Sequence, residues 1–308
     1  RMAMTSFNTL NRVPSTANKW LMRKVLREDL GFDGVLISDY SAVEELIPHG
    51  IAEDKREAAK LAIEAGVDID MMSDVYLHYL KELVTSGEVD ETLVDEAVLR
   101  ILKLKNDLGL FENPYKDASE EDEKNLILCD AHRAAAREAA AKTFVLLKNE
   151  KLLPLSRKKK VIWAGPYTAS REFLSRWSIF GEHEAVETIE DILQKKQIEA
   201  ECITGCNILS DEECKIWQVE QEVSDKPRDE QWLETITHED TVVCVLGEHE
   251  SQSGEAASRA FLTLPEEQQV LFEKIAERTS NIVTVVITGR PLDLRRISER
   301  SKAVIMAW

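Results

Sequence analysis

The first third of the chain alternates short apolar runs with stretches of helical periodicity. The apolar runs predict strands at residues 2–7, 35–39 and 67–71. Helical spacing predicts helices at residues 18–29, near Glu44, and at 55–65, 74–85 and 90–108. Strands that alternate with helices in this order are typical of parallel strands joined by crossover helices. Residues 1–108 are therefore predicted to form one α/β domain.

A second α/β pattern begins after a short interruption. Residues 109–123 lose the periodicity and gain Gly, Pro and acidic residues, which predicts an extended linker. An Ala-rich helix is predicted next, at residues 125–142. Strands are predicted at residues 144–148, 160–164, 199–203, 241–246 and 282–287, with helices near 186–195 and 266–277. Residues 124–308 are thus predicted to form a second layered α/β domain with an open sheet.

Both ends of the sequence fall inside strand-like patterns. The chain opens on the apolar run at residues 2–7 and stops inside another at residues 303–308. A strand at a terminus needs neighbouring strands to satisfy its backbone groups. We therefore expect the chain to be a segment of a longer polypeptide.

Composition and charge narrow the class of protein. The chain has 308 residues, 44% of them hydrophobic and 31% charged, which suits about two globular domains and is not typical of disorder. The 57 acidic residues against 39 basic ones give a net charge of −18, which disfavours a nucleic-acid partner. No apolar run approaches the length of about 18 residues that spans a bilayer, so we expect no membrane insertion.

The sequence offers no convincing cofactor motif. It has no glycine fingerprint for nucleotide phosphates, and Cys202, Cys206 and Cys214 lack a fourth metal ligand. Asp68 and Asp70 lack the glycine and the spaced glutamate of a calcium loop. The five cysteines, an odd number, give no disulfide framework. We expect neither a metal nor an organic cofactor.

Asp39 is the first candidate for chemistry. It follows a buried apolar run and Ser38, and α/β folds bind their ligands at the carboxyl ends of parallel strands. An equally good alternative is that Asp39 caps the next helix, because Asp is a favoured residue at a helix N-cap. Its position in the sequence does not separate the two interpretations.

A polar loop after the strand at 241–246 carries the second set of candidates. Residues 247–259 contain Glu248, His249, Glu250 and Glu255. Loops at strand ends often carry function, although acidic surface loops are also common in so acidic a chain. Asp39 and a glutamate on separate domains would suit glycoside hydrolysis, in which one carboxylate attacks the anomeric carbon and another protonates the leaving oxygen.

The motifs around these residues resemble those of glycoside hydrolase family 3. The first domain reproduces the family's signature up to its nucleophile, with Met4-Thr5-Ser6-Phe7-Asn8, Asn11, Pro14, Asn18-x-Trp20-Leu21, Gly31-Phe32-x-Gly34 and Ser38-Asp39. The second domain contributes Val145-Leu146-Leu147-Lys148-Asn149, Gly254-Glu255-Ala256-Ala257-Ser258-Arg259 and Gly289-Arg290-Pro291. The resemblance covers nearly the whole chain and is strongest to the periplasmic bacterial β-glucosidase type.

The resemblance implies a fold in two parts. Residues 1–108 would be the C-terminal part of a (β/α)8 TIM-type barrel, with its last three strands, and residues 124–308 an α/β sandwich domain without its C-terminal end. The family's early barrel strands carry an Asp, an Arg and a Lys-His pair that hold the glucosyl hydroxyls, and this sequence has no counterpart of them. The chain by itself is therefore expected to be a poor catalyst.

The resemblance also implies roles for individual residues. Asp39 matches the nucleophile and Glu255 the general acid/base. Positions that bind substrate are matched by Met4, Phe7, Tyr40, Ser175 and Trp177. Many relatives have Tyr where Phe7 stands, so a hydroxyl that would hydrogen-bond the nucleophile is missing here.

The activity implied by the family is that of a retaining, exo-acting β-glycosidase, mainly a β-glucosidase. Its substrate would be an oligosaccharide or a β-glucoside, and it would need no cofactor. The alternatives are a β-xylosidase or another exo-glycosidase of the family, and a non-catalytic fragment or carbohydrate-binding protein. A homodimer stays open, and the resemblance leads us to expect a periplasmic or secreted location.

Overall fold

The computed structural model describes residues 1–116, 119–156, 160–174, 176–179, 181–219 and 230–308. Contacts between residues divide the chain into two units, residues 1–125 and 126–308. The domain limits predicted from the sequence, 1–108, 109–123 and 124–308, stay a proposal. Among the described residues, no helix combines the length and the apolar character needed to cross a bilayer.

The first unit contains a short parallel strand pair and several helices. Its strands are β1 (Met2–Met4), β2 (Thr9–Leu10), β3 (Val13–Pro14) and β4 (Val35–Ile37). Strand β1 pairs in parallel with β4, and β2 pairs with β3 as a small antiparallel hairpin. The helices are a π-helix at Trp20–Asp29 and α1 (Lys55–Ala65), α2 (Val75–Thr85), α3 (Glu91–Asp107) and α4 (Glu120–Leu126).

The ends of α1 show how the sequence determines a helix. Asp54 precedes it, and the Asp54 carboxylate accepts a hydrogen bond from the Glu57 amide at 2.8 Å. Gly66 ends it in the left-handed conformation at φ +96°, where a side chain would be strained. The buried face of α1 joins a core that includes Leu36, Leu46, Ala59, Ile63, Val67 and Leu83.

The predicted third strand at residues 67–71 is wrong, because it shrinks to a single bridge between Ile37 and Ile69. The amides of Asp68 and Ile69 both donate to the Leu36 carbonyl, at 2.8 and 3.2 Å, so the regular register is lost. The Met71 amide then donates to the Ser38 hydroxyl at 2.8 Å instead of to a backbone carbonyl. The segment still lies beside β4 as extended chain.

Asp68 explains this irregular register. Its side chain is buried, and its Oδ2 accepts the Leu36 amide and pairs with Arg27 Nη2, both at 2.8 Å. Its Oδ1 pairs with Arg100 Nη1 at 2.7 Å. Burial lowers the pKa of the Arg27 guanidinium, and the Asp68 charge opposes that decrease. One carboxylate thus ties β4, the π-helix and α3 together, which accounts for Asp68 without a metal.

The second unit is built on a six-stranded sheet. Its strands are β5 (Val145–Asn149), β6 (Val161–Ala164), β7 (Ala200–Ile203), β8 (Thr241–Gly247), β9 (Ile282–Ile287) and β10 (Ala303–Met306). The order across the sheet is β5-β10-β9-β8-β6-β7, and all neighbours are parallel except β5 and β10. The helices are α5 (Asp130–Thr143), α6 (Ile189–Lys195), α7 (Asp211–Trp217), α8 (Gln231–Thr235), α9 (Glu266–Arg278) and α10 (Arg295–Arg300).

Strand β8 lies in the middle of this sheet with both faces buried. Val242, Cys244 and Leu246 pack into one apolar cluster, while Val243 and Val245 pack into a second. The alternation of side chains along a strand makes this division inevitable. Such two-sided burial is why the sequence shows a continuous apolar run at residues 241–246.

Two further expectations differ from the structure. The Ala-rich helix predicted at 125–142 is divided into α4 and α5, with Leu128 between them at φ +54°. Helix α4 also occupies part of the predicted linker, since the Ser119 hydroxyl caps it by accepting the Asp122 amide at 3.0 Å. Helices α7, α8 and α10 were not predicted, although the reciprocal capping of Ser210 and Glu213 marks the start of α7.

We expect Asp68→Asn to destabilise the first unit by about 3 kcal/mol, because it leaves the half-buried Arg27 without a charged partner. Chemical denaturation followed by circular dichroism measures this loss. Asp33→Asn is the control, since the exposed Asp33 pairs only with Lys103 at 3.4 Å, and it should cost nothing measurable. Equal stability of both variants would contradict the role given to Asp68.

Candidate active site

Asp39 lies two residues beyond the end of β4, at the carboxyl end of the parallel pair. Ser38 fixes the backbone there, because its amide donates to the Ile69 carbonyl at 2.9 Å. The Asp39 carboxylate accepts the amide of Tyr40 at 2.7 Å and is half-buried. The next helical turn begins only at Glu44, whose amide donates to the Ser73 hydroxyl at 3.3 Å. Asp39 therefore does not cap that helix, and the capping interpretation is wrong.

Three apolar or aromatic side chains named by the sequence lie at or beyond the carboxyl ends of β1 and β4. Met4 is the last residue of β1 and pairs with Ile37, so it shares the carboxyl edge of the strands with Asp39. Phe7 follows β1, and Tyr40 follows Asp39. Their exposed fractions are 51% for Met4, 42% for Phe7 and 59% for Tyr40, so none of them serves mainly as core. Met4, Phe7 and Tyr40 are together called the apolar rim of this edge.

Met72 belongs to the same edge and was missed by the sequence analysis. It follows the extended segment beside β4, at φ +68°, and is 63% exposed. The Met71 carbonyl accepts the Ser41 amide at 2.8 Å, which joins the Met72 turn to the turn after Asp39. Met72 could have been found from its position, because it follows the predicted strand at residues 67–71, and Asp39 likewise ends the predicted strand at residues 35–39.

In the second unit, a buried glutamine determines where β8 ends. The Gln268 side chain accepts the Gly247 amide and donates to the Gly247 carbonyl, both at 2.8 Å. A Cβ at position 247 would lie 2.2 Å from the Ile287 carbonyl oxygen, so only glycine fits. The chain leaves the sheet here and enters the polar loop.

Glu248, the first residue of the polar loop, is buried. Its carboxylate forms an ion pair with Arg259, accepts the Thr288 hydroxyl, and lies 3.8 Å from Arg290 Nε. Its backbone carbonyl accepts the Tyr167 hydroxyl. A carboxylate enclosed in this way holds the loop and is not presented to a substrate.

His249 continues the anchoring of the loop. Its Nδ1 accepts the Ser251 amide at 3.1 Å, and its own amide donates to Gln252 Oε1 at 3.2 Å. Burial lowers the pKa of His249 below its ordinary value, and nearby His183 lowers it further, while Glu172 and Glu250 oppose this. Glu250 begins a short 3-10 turn over Glu250–Gln252.

Glu255 lies in a different environment from the buried Glu248. It is exposed, and it stands between Gly254 at φ +101° and Ala256 at φ +58°. Its backbone carbonyl accepts Nη1 of Arg176 at 3.1 Å. Trp177 follows that arginine in the sequence and is 66% exposed. Ser175 lies outside the described residues.

Of the predicted site residues, the structure groups Met4, Phe7, Asp39 and Tyr40 in the first unit. It groups Glu255 and Trp177 in the second. Among the described residues there is no cluster of His, Cys, Asp and Glu side chains that could hold a metal ion. Asp39 thus offers a carboxylate at a strand end, and Glu255 offers a carboxyl group on an exposed loop.

Comparison with known protein families identifies both parts of the chain. The model of the glycosyl hydrolase family 3 N terminal domain matches residues 1–104, and that of the family 3 C-terminal domain matches residues 144–308. The chain belongs to glycoside hydrolase family 3. The predicted fold class, part of a TIM-type barrel followed by an α/β sandwich domain, is confirmed by the solved structures of this family.

Two known glycosidases resemble nearly the whole chain. A periplasmic beta-glucosidase of Salmonella typhimurium is 33% identical over 99% of this chain and 42% of its own length. A beta-xylosidase of Formosa agariphila is 31% identical over 99% of this chain and 43% of its own length. The chain thus spans about two fifths of the length of these relatives.

Solved structures give the same result. The beta-glucosidase from Listeria innocua, in complex with glucose, is 39% identical with a TM-score of 0.85, over 99% of this chain and 40% of that one. The family 3 exo-beta-xylosidase XlnD is 26% identical with a TM-score of 0.79, over 100% of this chain and 39% of that one.

The buried His249 should make stability depend on pH. Its pKa is lower in the folded protein than the 6.5 of an ordinary histidine, so the unfolded chain binds a proton that the folded protein does not. The free energy of unfolding should therefore fall as the pH drops through about 6.5. We expect His249→Gln to lose less stability than the wild type between pH 7.5 and 5.5 in urea denaturation.

The matched control is His238→Gln, because the His238 side chain is 87% exposed. It should keep the wild-type dependence on pH. A His249→Gln variant with the same pH dependence as the wild type would contradict the role given to burial.

Proposed function

We propose that the protein is a retaining, exo-acting β-glycosidase that acts mainly as a β-glucosidase. The observation that carries the proposal is the contrast between the glutamates of the polar loop. Glu248 is buried and paired with arginine, whereas Glu255, at the position of the family's acid/base, is exposed at the tip. Asp39, at the position of the nucleophile, ends a parallel strand where catalytic residues of barrels are found.

Two displacement steps follow from these roles. The Asp39 carboxylate attacks the anomeric carbon while the Glu255 carboxyl group gives its proton to the leaving oxygen, so the glycosidic bond breaks and a glycosyl ester of Asp39 forms. Glu255, now ionised, takes a proton from a water molecule that attacks the same carbon. The ester bond to Asp39 then breaks and Glu255 is protonated again. Two inversions give net retention of configuration.

The apolar rim of Met4, Phe7 and Tyr40 supports a sugar-binding role for the edge that carries Asp39. Aromatic and apolar groups that remain exposed beside a polar carboxylate suit the face of a pyranose ring. Phe7 has no hydroxyl, and the Tyr40 amide donates a hydrogen bond to the Asp39 carboxylate at 2.7 Å. Trp177, which is 66% exposed in the second unit, is also a proposed substrate contact.

Glucose is the proposed sugar, because the Listeria innocua beta-glucosidase is 39% identical whereas the exo-beta-xylosidase XlnD is 26% identical. The complete gene product should hydrolyse an aryl β-glucoside with a higher kcat/KM than the matching β-xyloside. The reverse order would make the protein a β-xylosidase. A homodimer is proposed only as an alternative to a monomer, and sedimentation velocity distinguishes the two.

Asp39→Asn in the complete gene product should reduce kcat/KM on an aryl β-glucoside on the order of 10³-fold or more, because the amide cannot form the ester intermediate. Steady-state kinetics with the Asp33→Asn variant as a control measure the effect. Near-wild-type turnover by Asp39→Asn would rule out this nucleophile.

Glu255→Gln should slow substrates in proportion to their need for a proton. A poor leaving group such as an alkyl alcohol should lose about 10² to 10⁴-fold in kcat/KM, whereas an activated dinitrophenolate should lose far less. Glu250→Gln is the matched control on the same loop and should affect both substrates little. If Glu255→Gln slows both substrates equally, the acid/base is another residue of the loop.

A further inference from the structure

Arg290 contacts the Glu255 loop at two points. It lies in the turn after β9, and its Nη2 donates hydrogen bonds to the carbonyl oxygens of Gln252 and Ala257, both at 2.6 Å. These two carbonyls stand on either side of the 253–256 segment that carries Glu255. One guanidinium nitrogen therefore fixes the distance between the two ends of that segment.

The two clamped residues are buried, and the segment between them is exposed. Gln252 is 0% exposed and Ala257 is 1% exposed, whereas Gly254, Glu255 and Ala256 are all exposed. Ala256 has a positive φ of +58°, a conformation that a residue with a Cβ keeps only where its surroundings impose it. The clamp by Arg290 on the carbonyl next to Ala256 is such a constraint.

Contacts with Thr288 and Glu248 hold Arg290 itself in place. The Arg290 amide donates to the Thr288 hydroxyl oxygen at 3.2 Å, and that hydroxyl donates to the buried Glu248 carboxylate. Arg290 Nε lies 3.8 Å from Glu248 Oε1 and has no hydrogen-bond partner among the described residues, so its contact with Glu248 is one of charge. The hydrogen-bonding capacity of this guanidinium is directed at the loop carbonyls.

The turn that carries Arg290 also meets the loop directly. A Cβ at Gly289 would lie 2.3 Å from Ser253 Oγ and 3.0 Å from Ser253 Cβ, so the turn and the loop are in close contact there. The position of the loop thus depends on the main chain at 289 as well as on the side chain at 290.

We propose that Arg290 is a positioning residue that sets the location of the Glu255 carboxyl group, an inference that rests on the proposed function. A general acid must lie within hydrogen-bond reach of the leaving oxygen, and a displacement of about 1 Å can cost on the order of 10²-fold in rate. Lysine keeps the positive charge, but its ammonium stands on a flexible stem and lacks the rigid guanidinium plane that holds Arg290 Nη2 between both carbonyls. Arg290→Lys therefore separates positioning from charge balance.

The test is Arg290→Lys in the complete gene product, with kcat/KM measured on an alkyl β-glucoside and on a dinitrophenyl β-glucoside. We expect a loss of about 10²-fold on the alkyl substrate and a far smaller loss on the activated one, because only the former needs a well-placed proton. Arg295→Lys is the matched control, since Arg295 is 84% exposed in its side chain and pairs with Asp293. It should leave both substrates unchanged.

Two results would overturn the proposal. Equal losses on both substrates would indicate that Arg290 serves only to keep the protein folded, and unchanged rates on both would indicate no role in positioning. Thermal melting of each variant shows whether the folded fraction is reduced.

A second variant decides the question if Arg290→Lys does not fold. Gly289→Ala keeps Arg290 but pushes on Ser253, so it should produce the same dependence on the leaving group, and adding Ser253→Ala should restore part of the lost rate. Equal slowing of both substrates by Gly289→Ala would overturn the proposal.

Glu255→Gln measured in parallel distinguishes this inference from the function on which it rests. Dependence on the leaving group in Glu255→Gln but not in the Arg290 and Gly289 variants rejects only the positioning role. If Glu255→Gln itself shows no dependence on the leaving group, the acid/base assignment is rejected, and the positioning role is rejected with it.

Discussion

The buried carboxylate of Glu248 is the contact on which the second unit's loop region depends. It lies one residue beyond the central strand β8 and faces two arginines, Arg259 and Arg290. A carboxylate removed from water needs compensating charge and hydrogen bonds, and here Arg259 and Thr288 supply them. Because Arg259 is the last residue of the loop and Arg290 follows β9, this one group joins both ends of the exposed segment to the sheet.

The first unit uses the same physical device at another strand. Asp68 is buried between Arg27 and Arg100 and also accepts the amide of Leu36 in β4. In both units a buried carboxylate is bonded near a strand end, whereas the candidate catalytic carboxylates are half-buried in Asp39 and exposed in Glu255.

The sequence could predict elements whose signals are local. Residues 282–287 form a strand because the run is apolar except for Thr284 and lies in the middle of the sheet, and helix α1 begins after Asp54 and ends at Gly66. It could not predict that the segment at 67–71 pairs so briefly, since that outcome depends on Asp68 meeting two arginines distant in sequence. The motif predicted Asp39 and Glu255 as candidates, but only the fold separates the exposed Glu255 from the buried Glu248. The contact of Arg290 with the loop is likewise invisible in the sequence.

The clamp on the loop acts through main-chain oxygens alone, since Arg290 bonds the carbonyls of Gln252 and Ala257 and Arg176 bonds that of Glu255. Every amino acid supplies the same carbonyl group. The exposed Ser258, which takes no part in these bonds, can therefore change in the course of evolution while the path of the backbone is preserved. The surface residues around the Glu255 carboxyl group can therefore vary under selection while the backbone contacts that fix its position remain.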